Sequence, residues 1–413
     1  MFGKKNSFIA LVMACFMILP MSIVGVSAAD WPMFHENLDH TGYLDEASDF
    51  TPEMWLFKAQ GAIISSPAIS DKILYFGSGD GIFYALNLDD GTRVWDYKTN
   101  GNITSSPVVS GDVVYFGSMD SYLYALNKKN GDSVWKYKTG NSIESSPAID
   151  NGVVYVGSND NRLYAINANN GTIKWEFESG NTVKSAPAVY NGNIYFGSND
   201  GKIYALNTNG AKLWEFDTGN AVVSSPAIRE NVLYEGTDNG VFYALNTADG
   251  SVKWSYNFGD PVRSSALLDS NDNSLFVGAD NGNVTCLDMR DGKLKWSMNV
   301  GNVKSTPALM GNNIVVSSES GTVYILNKYS GKEEWSYSPG YYLFNSPFTS
   351  SPVVYGDDIY VGGSDGYMYA LDDEKKSGPT PVYLYYIGAI VIGLIVVLIA
   401  FRVIRSRKNK KSE

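Results

Sequence analysis

Residues 103–138 read ITSSPVVSGDVVYFGSMDSYLYALNKKNGDSVWKYK. This stretch contains four short runs rich in β-forming residues, at 105–109, 113–117, 122–127 and 133–137. Turns rich in Gly, Asp and Asn separate the runs. Apolar and polar residues alternate in the third run, as in a half-buried strand. The stretch therefore predicts a small antiparallel sheet of four strands.

The same unit recurs about every 40 residues, and two independent markers give the same number of copies. The first marker is a tryptophan near the end of each unit: Trp55, Trp95, Trp135, Trp175, Trp214, Trp254, Trp296 and Trp335. The second is Ser-Ser-Pro or a near variant, beginning at Ser65, Ser105, Ser145, Ser185, Ser224, Ser264, Ser305 and Ser350. Four strands repeated at this period are typical of propeller blades. We predict an all-β, eight-bladed β-propeller of four-stranded antiparallel blades over residues 30–372.

The phase of the repeat predicts how the ring closes. Trp55 belongs to a fourth strand that has no blade before it. The last unit, residues 350–372, has three predicted strands and no tryptophan. We expect the strand around Trp55 to complete the C-terminal blade.

Both ends of the chain carry membrane-targeting patterns. Lys4 and Lys5 precede an apolar run at 8–26 and small residues at 26–29, which predicts a signal peptide over 1–29, with a retained anchor as the alternative. Residues 382–401 contain no charge and are long enough for one transmembrane helix. The basic segment 402–413 follows directly and is predicted to be cytoplasmic. We expect a single-pass cell-membrane protein whose propeller lies outside, joined to its helix by a linker at 373–381.

Charge argues against a nucleic-acid partner. The net charge is −11, and the terminal segments 1–29 and 382–413 are both net positive, so the middle of the chain is more acidic than the whole. Such a surface repels a phosphate backbone. Of the two cysteines, Cys15 lies in the predicted signal peptide, which leaves Cys286 without a disulfide partner in the mature chain.

A motif in the last turn of each unit resembles a known family. It reads Ala85-Leu86-Asn87, then Gly91 and Trp95, and it returns with drift in later units, where Cys286 and Ile325 replace Ala. This resembles the tryptophan-docking motif of quinoprotein-type propellers, whose repeat is named for pyrroloquinoline quinone (PQQ). The resemblance covers about residues 30–372 and implies that each tryptophan has a structural docking role.

The resembled family contains PQQ-dependent dehydrogenases and scaffolds of the BamB type, so the fold alone does not decide between them. The dehydrogenases imply a calcium site built from Glu, Asn and Asp, a catalytic Asp, and often an adjacent cysteine pair. This sequence has no adjacent cysteine pair, and its only histidines, His35 and His40, lie in the N-terminal lead-in. We expect no enzymatic activity, no metal and no cofactor. A membrane-tethered dehydrogenase that uses PQQ with calcium is the alternative.

Function is expected where units depart from their own consensus. The residue before each Ser-Ser-Pro varies: Ile64, Thr104, Glu144, Lys184, Val223, Arg263, Lys304 and Thr349. Since the innermost strands of a propeller line its channel, these residues are predicted to form a ring at the channel mouth. Lys184, Arg263 and Lys304 with Glu144 would give that ring its charge. A solvated strand end is the plain interpretation, and a site for an anion or a partner is the other.

Two further departures are candidate sites. Glu235 occupies a strand position that is Phe or Val in most other units, where a carboxylate needs a partner or exposure. The insertion at 341–348 is rich in aromatics, including Tyr341, Tyr342 and Phe344, which suit either an interface or packing against the propeller.

These observations predict a membrane-anchored extracytoplasmic scaffold that binds a protein or a cell-envelope polymer. The alternatives are the PQQ-dependent dehydrogenase and a small-anion sensor at the propeller channel.

Overall fold

The computed structural model describes residues 55–339 and 346–372, and within them it contains eight four-stranded antiparallel sheets. The prediction of an all-β, eight-bladed propeller is confirmed. The predicted signal peptide, linker, transmembrane helix and tail lie outside the described residues, as do Tyr341, Tyr342 and Phe344.

We number the blades 1 to 8 from the first complete sheet and name the strands from the channel outward. The inner strands of blades 1 to 8 are β2 (Ala68–Ser70), β6 (Val108–Ser110), β10 (Ala148–Asp150), β14 (Ala188–Tyr190), β18 (Ala227–Arg229), β22 (Leu267–Asp269), β26 (Ala308–Met310) and β30 (Val353–Tyr355). The second strands are β3 (Ile73–Gly77), β7 (Val113–Gly117), β11 (Val153–Gly157), β15 (Asn193–Gly197), β19 (Val232–Gly236), β23 (Ser274–Gly278), β27 (Asn313–Ser318) and β31 (Asp358–Gly362).

The third strands are β4 (Ile82–Asn87), β8 (Tyr122–Asn127), β12 (Arg162–Asn167), β16 (Lys202–Asn207), β20 (Val241–Asn246), β24 (Asn283–Asp288), β28 (Thr322–Asn327) and β32 (Tyr367–Leu371). The outer strands are β5 (Arg93–Lys98), β9 (Ser133–Lys138), β13 (Ile173–Glu178), β17 (Lys212–Asp217), β21 (Val252–Asn257), β25 (Leu294–Asn299), β29 (Glu333–Tyr337) and β1 (Leu56–Lys58).

The ring closes as the repeat phase predicts. Strand β1 pairs antiparallel with β32, with Leu56 opposite Tyr369 and Lys58 opposite Tyr367. The first outer strand of the chain therefore completes the last blade. A hydrogen bond of 2.9 Å from the Ser351 N–H to the Ser66 hydroxyl joins blades 8 and 1 beside the channel.

Strand direction defines two faces of the propeller. The hairpins between second and third strands share one face with the links from each outer strand to the next blade, and we call this the mouth face. The remaining turns of every blade lie on the opposite side, the turn face. Because β32 is a third strand, it runs toward the turn face, and the described chain ends there at Asp372. Strand β1 begins on the same face, after Trp55.

The two serines of the Ser-Ser-Pro marker bond in different directions. The strand predicted at 105–109 begins only at Val108, because the serines and proline before it form other contacts. Ser105 Oγ accepts the N–H of Gly117 in the second strand of its own blade, at 3.0 Å. The Ser106 N–H instead donates to Ser146 Oγ of the next blade, at 2.9 Å. The marker therefore ties each inner strand both to its own blade and to its neighbour.

Tryptophans join neighbouring blades at the turn face. Seven of them donate the indole N–H to a backbone oxygen of the following blade at 2.8–3.0 Å: Trp55, Trp95, Trp135, Trp175, Trp214, Trp254 and Trp296. The ring of each also packs on a glycine of that blade. Among the described residues Trp335 stacks on Tyr337, and the residues that follow Asp372 in blade 8 lie outside them.

We expect Gly171→Ala to weaken the contact between blades 2 and 3. Gly171 has φ of +70°, and a Cβ there would lie 2.8 Å from the Trp135 ring. Gly152→Ala is the matched control, because Gly152 has φ of +72° and a Cβ there would meet nothing within 4 Å. Urea unfolding should show a loss larger by about 1–3 kcal/mol for Gly171→Ala. Equal losses would mean that the tryptophan contact contributes nothing.

Apolar side chains fill the spaces between adjacent blades. Phe83 of blade 1 stacks on Phe116 of blade 2 with ring centroids 4.0 Å apart, and both are fully buried. Since each blade covers the apolar face of the next, no single sheet needs its own second layer.

Candidate functional site at the channel mouth

The residues that precede the serine pairs lie around one central cavity. All eight of the predicted ring positions line it: Ile64, Thr104, Glu144, Lys184, Val223, Arg263, Lys304 and Thr349. Its volume is about 170 Å³, below the roughly 300–1,000 Å³ of ordinary cofactor pockets. The closed ring thus brings together residues from eight blades that are about 40 positions apart in the sequence.

Each of the three ring cations pairs with a carboxylate. Lys184 Nζ lies 3.0 Å from Glu144 Oε1 of the neighbouring blade, so two ring positions pair with each other. Lys304 Nζ lies 2.9 Å from Glu319. Arg263 is held on two sides, by Asp238 at 3.0 Å and Asp280 at 2.7 Å.

Sequence reasoning missed Asp238, Asp280 and Glu319, although the repeat contains a signal for them. In five blades the mouth-face hairpin carries an Asp that accepts the hydroxyl of a third-strand tyrosine: Asp80, Asp120, Asp160, Asp200 and Asp365. Blades 5 to 7 have Asn239, Asn281 and Ser320 at that position, and the acid stands one residue earlier. This shift by one residue places the carboxylate beside a ring cation.

The acids lie deeper than the cations that they hold. Side-chain exposure is 35% for Arg263 against 22% and 16% for its two aspartates, and 37% for Lys304 against 21% for Glu319. Burial also raises the pKa of Asp280. Three cations and one acid, Glu144, therefore line the cavity, while the other carboxylates fix the cations from behind.

Below the charged residues, serine hydroxyls form a belt around the cavity. Each accepts a backbone N–H from the preceding blade at 2.9–3.0 Å: Ser66, Ser106, Ser146, Ser225, Ser265 and Ser351. Thr306 and Ala186 occupy the other two positions of the belt, so blade 4 lacks a hydroxyl there. The inner wall of the cavity is consequently polar.

Glu235 does not belong to the mouth. It lies on β19 and is 1% exposed, and its Oε1 is one of the atoms that a Cβ on Gly197 of blade 4 would meet, at 2.7 Å. Neither carboxylate oxygen has a hydrogen-bond partner among the described residues. Burial therefore raises the pKa of Glu235 well above its usual value. Of the two solutions expected for this residue, a partner or exposure, the described structure provides neither.

The aromatic insertion joins the propeller beside the mouth. The link from β29 to the serine pair of blade 8 spans 338–349, whereas the corresponding link after β5 spans 99–104. Phe348, at the end of the insertion, is 1% exposed and packs edge-on against Tyr369 with ring centroids 5.2 Å apart. Tyr341, Tyr342 and Phe344 lie outside the described residues.

Two family models match the chain. Residues 261–377 match the model described as outer membrane protein assembly factor BamB, and residues 47–234 match the β-propeller of β-alanine-activating enzyme. The chain is therefore an eight-bladed β-propeller whose C-terminal repeats match the BamB model. No curated protein matches it.

Solved structures share the fold of this propeller at low sequence identity. BamB from Moraxella catarrhalis is 18% identical with a TM-score of 0.65, covering 76% of this chain and 98% of its own. A europium-containing methanol dehydrogenase is 14% identical with a TM-score of 0.70, covering 81% and 90%. Quinohemoprotein alcohol dehydrogenase from Comamonas testosteroni is 15% identical with a TM-score of 0.68, covering 83% and 80%. Both classes of the resembled family thus share this fold.

The residues at the mouth do not fit PQQ with calcium. Asp238, Asp280 and Glu319 each use a carboxylate oxygen to bind a lysine or arginine at 2.7–3.0 Å, and Asp280 Oδ1 is the one oxygen of the three side chains that is buried without a hydrogen-bond partner among the described residues. In 55–339 and 346–372, no group of three or more His, Cys, Asp or Glu side chains is arranged to hold a metal ion. Cys286 is a buried free thiol, and burial raises its pKa to about 12.

No helix capable of crossing a membrane occurs among the described residues.

Proposed function

We propose that this propeller is a membrane-anchored extracytoplasmic scaffold that docks a protein partner through its mouth face. The observation that carries the proposal is the arrangement of the two faces. The mouth face bears the charged ring and the link at 338–349, which are the strongest departures from the repeat. Residues that recur in every blade are explained by the fold, so we look for function at the positions that differ between blades.

The direction of the last strand supports this orientation. The described chain ends on the turn face, and the predicted linker at 373–381 reaches at most roughly 30 Å to the predicted helix at 382–401. A propeller held in this way turns its mouth away from the bilayer, toward partners outside the cell membrane. The likeness to BamB, whose family description is an assembly factor for outer membrane proteins, favours a protein partner over an envelope polymer.

Photo-cross-linking in intact cells tests the proposal. A photoreactive residue at Met119, which is 40% exposed on a mouth-face hairpin, should capture a reproducible protein partner. The same residue at Tyr329, which is 57% exposed on the turn face, is the matched control and should capture none. Affinity purification through a C-terminal tag and mass spectrometry would identify the partner. Capture from Tyr329 alone, or from neither position, would refute docking through the mouth face.

A cofactor titration tests the dehydrogenase alternative. We expect the purified full-length protein, given calcium and PQQ, to bind no stoichiometric cofactor and to oxidise no alcohol in a dye-linked assay. Stoichiometric binding seen by absorbance would replace the scaffold proposal.

A further inference from the structure

We propose that the cavity at the channel mouth is a binding site for one small oxyanion, such as a phosphate group. The site consists of the ring cations Lys184, Arg263 and Lys304 together with the serine belt. This inference is independent of partner docking.

The serine belt supplies hydrogen-bond donors that the propeller does not use. Each belt serine is at most 9% exposed, and its oxygen already accepts a backbone N–H. No hydrogen bond among the described residues uses the hydroxyl hydrogen of these six serines. A hydroxyl that accepts one bond retains its own hydrogen for donation. Six such groups line one cavity, so the wall offers several donors to a guest or to water.

Two threonines contribute further hydroxyl groups to the cavity wall. Thr104 Oγ1 and Thr349 Oγ1 are buried, line the same cavity and have no hydrogen-bond partner among the described residues. Buried hydroxyls without partners are costly, by about 1–3 kcal/mol each. An oxyanion has several acceptor oxygens within a small volume and can receive several of these donors together.

The ring cations offer charged donors to a guest, although the four carboxylates that pair with them leave the cluster with no net positive charge. Lys184 and Lys304 each bond one carboxylate, which leaves further N–H donors on each ammonium group. The acids behind Arg263 and Lys304 do not line the cavity, whereas the cations do. The arrangement resembles other anion sites in which fixed cations and hydroxyls converge on one position.

The size of the cavity restricts the guest. Its volume of about 170 Å³ is far above the roughly 15 Å³ that one water requires, and below that of a typical cofactor pocket. A single oxyanion with a few waters therefore fits this space.

Isothermal titration of the full-length protein in detergent with inorganic phosphate tests the site, with chloride matched for ionic strength. We expect a saturable heat with one site. Glu144→Gln combined with Lys184→Gln removes an ion pair without leaving an unpaired charge and should weaken phosphate binding at least about ten-fold. Asp291→Asn combined with Lys293→Gln removes an exposed pair from the turn face and should leave it unchanged.

Ala186→Ser provides a second, additive test. It restores the hydroxyl missing from the belt and should tighten phosphate binding.

Glycerol 3-phosphate, titrated in parallel, distinguishes the source of the phosphate group. Equal affinity indicates a phosphate carried by a larger molecule, and weaker affinity indicates the free ion. Absence of saturable heat with either ligand would overturn the proposal. So would equal phosphate affinity in the wild type, the Glu144/Lys184 double variant and Ala186→Ser.

Discussion

Replacing Lys328 by methionine is expected to lower the free energy of unfolding by about 3–5 kcal/mol. Lys328 of blade 7 reaches into blade 6, where its Nζ lies 2.7 Å from Asp269 and 2.9 Å from Asp272. The side chain of Lys328 is 7% exposed and that of Asp269 is 0% exposed. Burial alone would lower the pKa of Lys328, but its bonds to the two aspartates outweigh it and raise the pKa. Methionine fills a similar volume but leaves a buried carboxylate without its cation.

The chain contains a matched control for this effect. Lys128 occupies the same turn position in blade 2 and pairs with Asp71 of blade 1 at 2.8 Å, but the Asp71 side chain is 68% exposed. Lys128→Met should therefore cost less than about 1 kcal/mol, since water can solvate Asp71. Urea unfolding followed by tryptophan fluorescence measures both variants.

A second substitution should rescue the loss. Blade 1 has Ser70 where blade 6 has Asp269. Adding Asp269→Ser to Lys328→Met removes the buried carboxylate that has lost its cation and should restore most of the stability. Similar losses in the Lys128 and Lys328 variants, or no rescue, would show that the buried charge is not the cause.

Replacing Glu235 by methionine should stabilise the propeller, by about 1–3 kcal/mol near pH 5. The equivalent residues Phe76, Phe116 and Phe196 are fully buried apolar side chains. Glu235 is equally buried, and both of its oxygens lack partners among the described residues. An unbranched thioether fills nearly the same space without that desolvation cost. Urea unfolding at several pH values measures the gain.

The gain should grow with pH because the pKa of Glu235 is raised in the folded state. In the window between the unfolded pKa of 4.5 and the higher folded pKa, the folded protein holds a proton that the unfolded chain releases. The wild type therefore loses up to about 1.4 kcal/mol per pH unit across this window, and no more from this group above it.

Glu235→Gln separates titration from polarity. It keeps a buried polar group of the same shape but has no proton to lose, so its stability should depend less on pH than that of the wild type. Asp358, whose pKa burial raises to about 6, titrates in both proteins and cancels in the difference. Identical pH profiles for the two proteins would show that Glu235 is not desolvated as described.

Much of the fold could be predicted because each blade repeats the same local interactions. Ser105 bonds to Gly117 twelve residues away, and Trp135 bonds to the Ala168 carbonyl of the next blade. Contacts of this kind recur at a constant spacing, so they leave a visible period in the sequence. The closure by Leu56–Lys58 also follows from that period. The last repeat lacked a fourth strand, and the strand at the start of the chain had no blade of its own.

The charge balance and burial at the candidate sites could not be predicted from the sequence. The ring positions were predicted from variation, but their charge balance was not, because Arg263 pairs with Asp238 of one blade and Asp280 of another. The burial of Glu235 against Gly197 depends on how closely two sheets approach, which a one-residue departure in the sequence does not specify.

The sequence by itself determined the number of blades, their strand content and the strand that closes the ring, because these depend on patterns within one repeat. Only the tertiary structure decided which departures from the repeat meet. Closure brings eight inner strands around a single axis, so Glu144 and Lys184, 40 residues apart, approach to 3.0 Å. Glu235 departs from the same consensus, but its strand is one step farther from the axis, and it is enclosed between two blades.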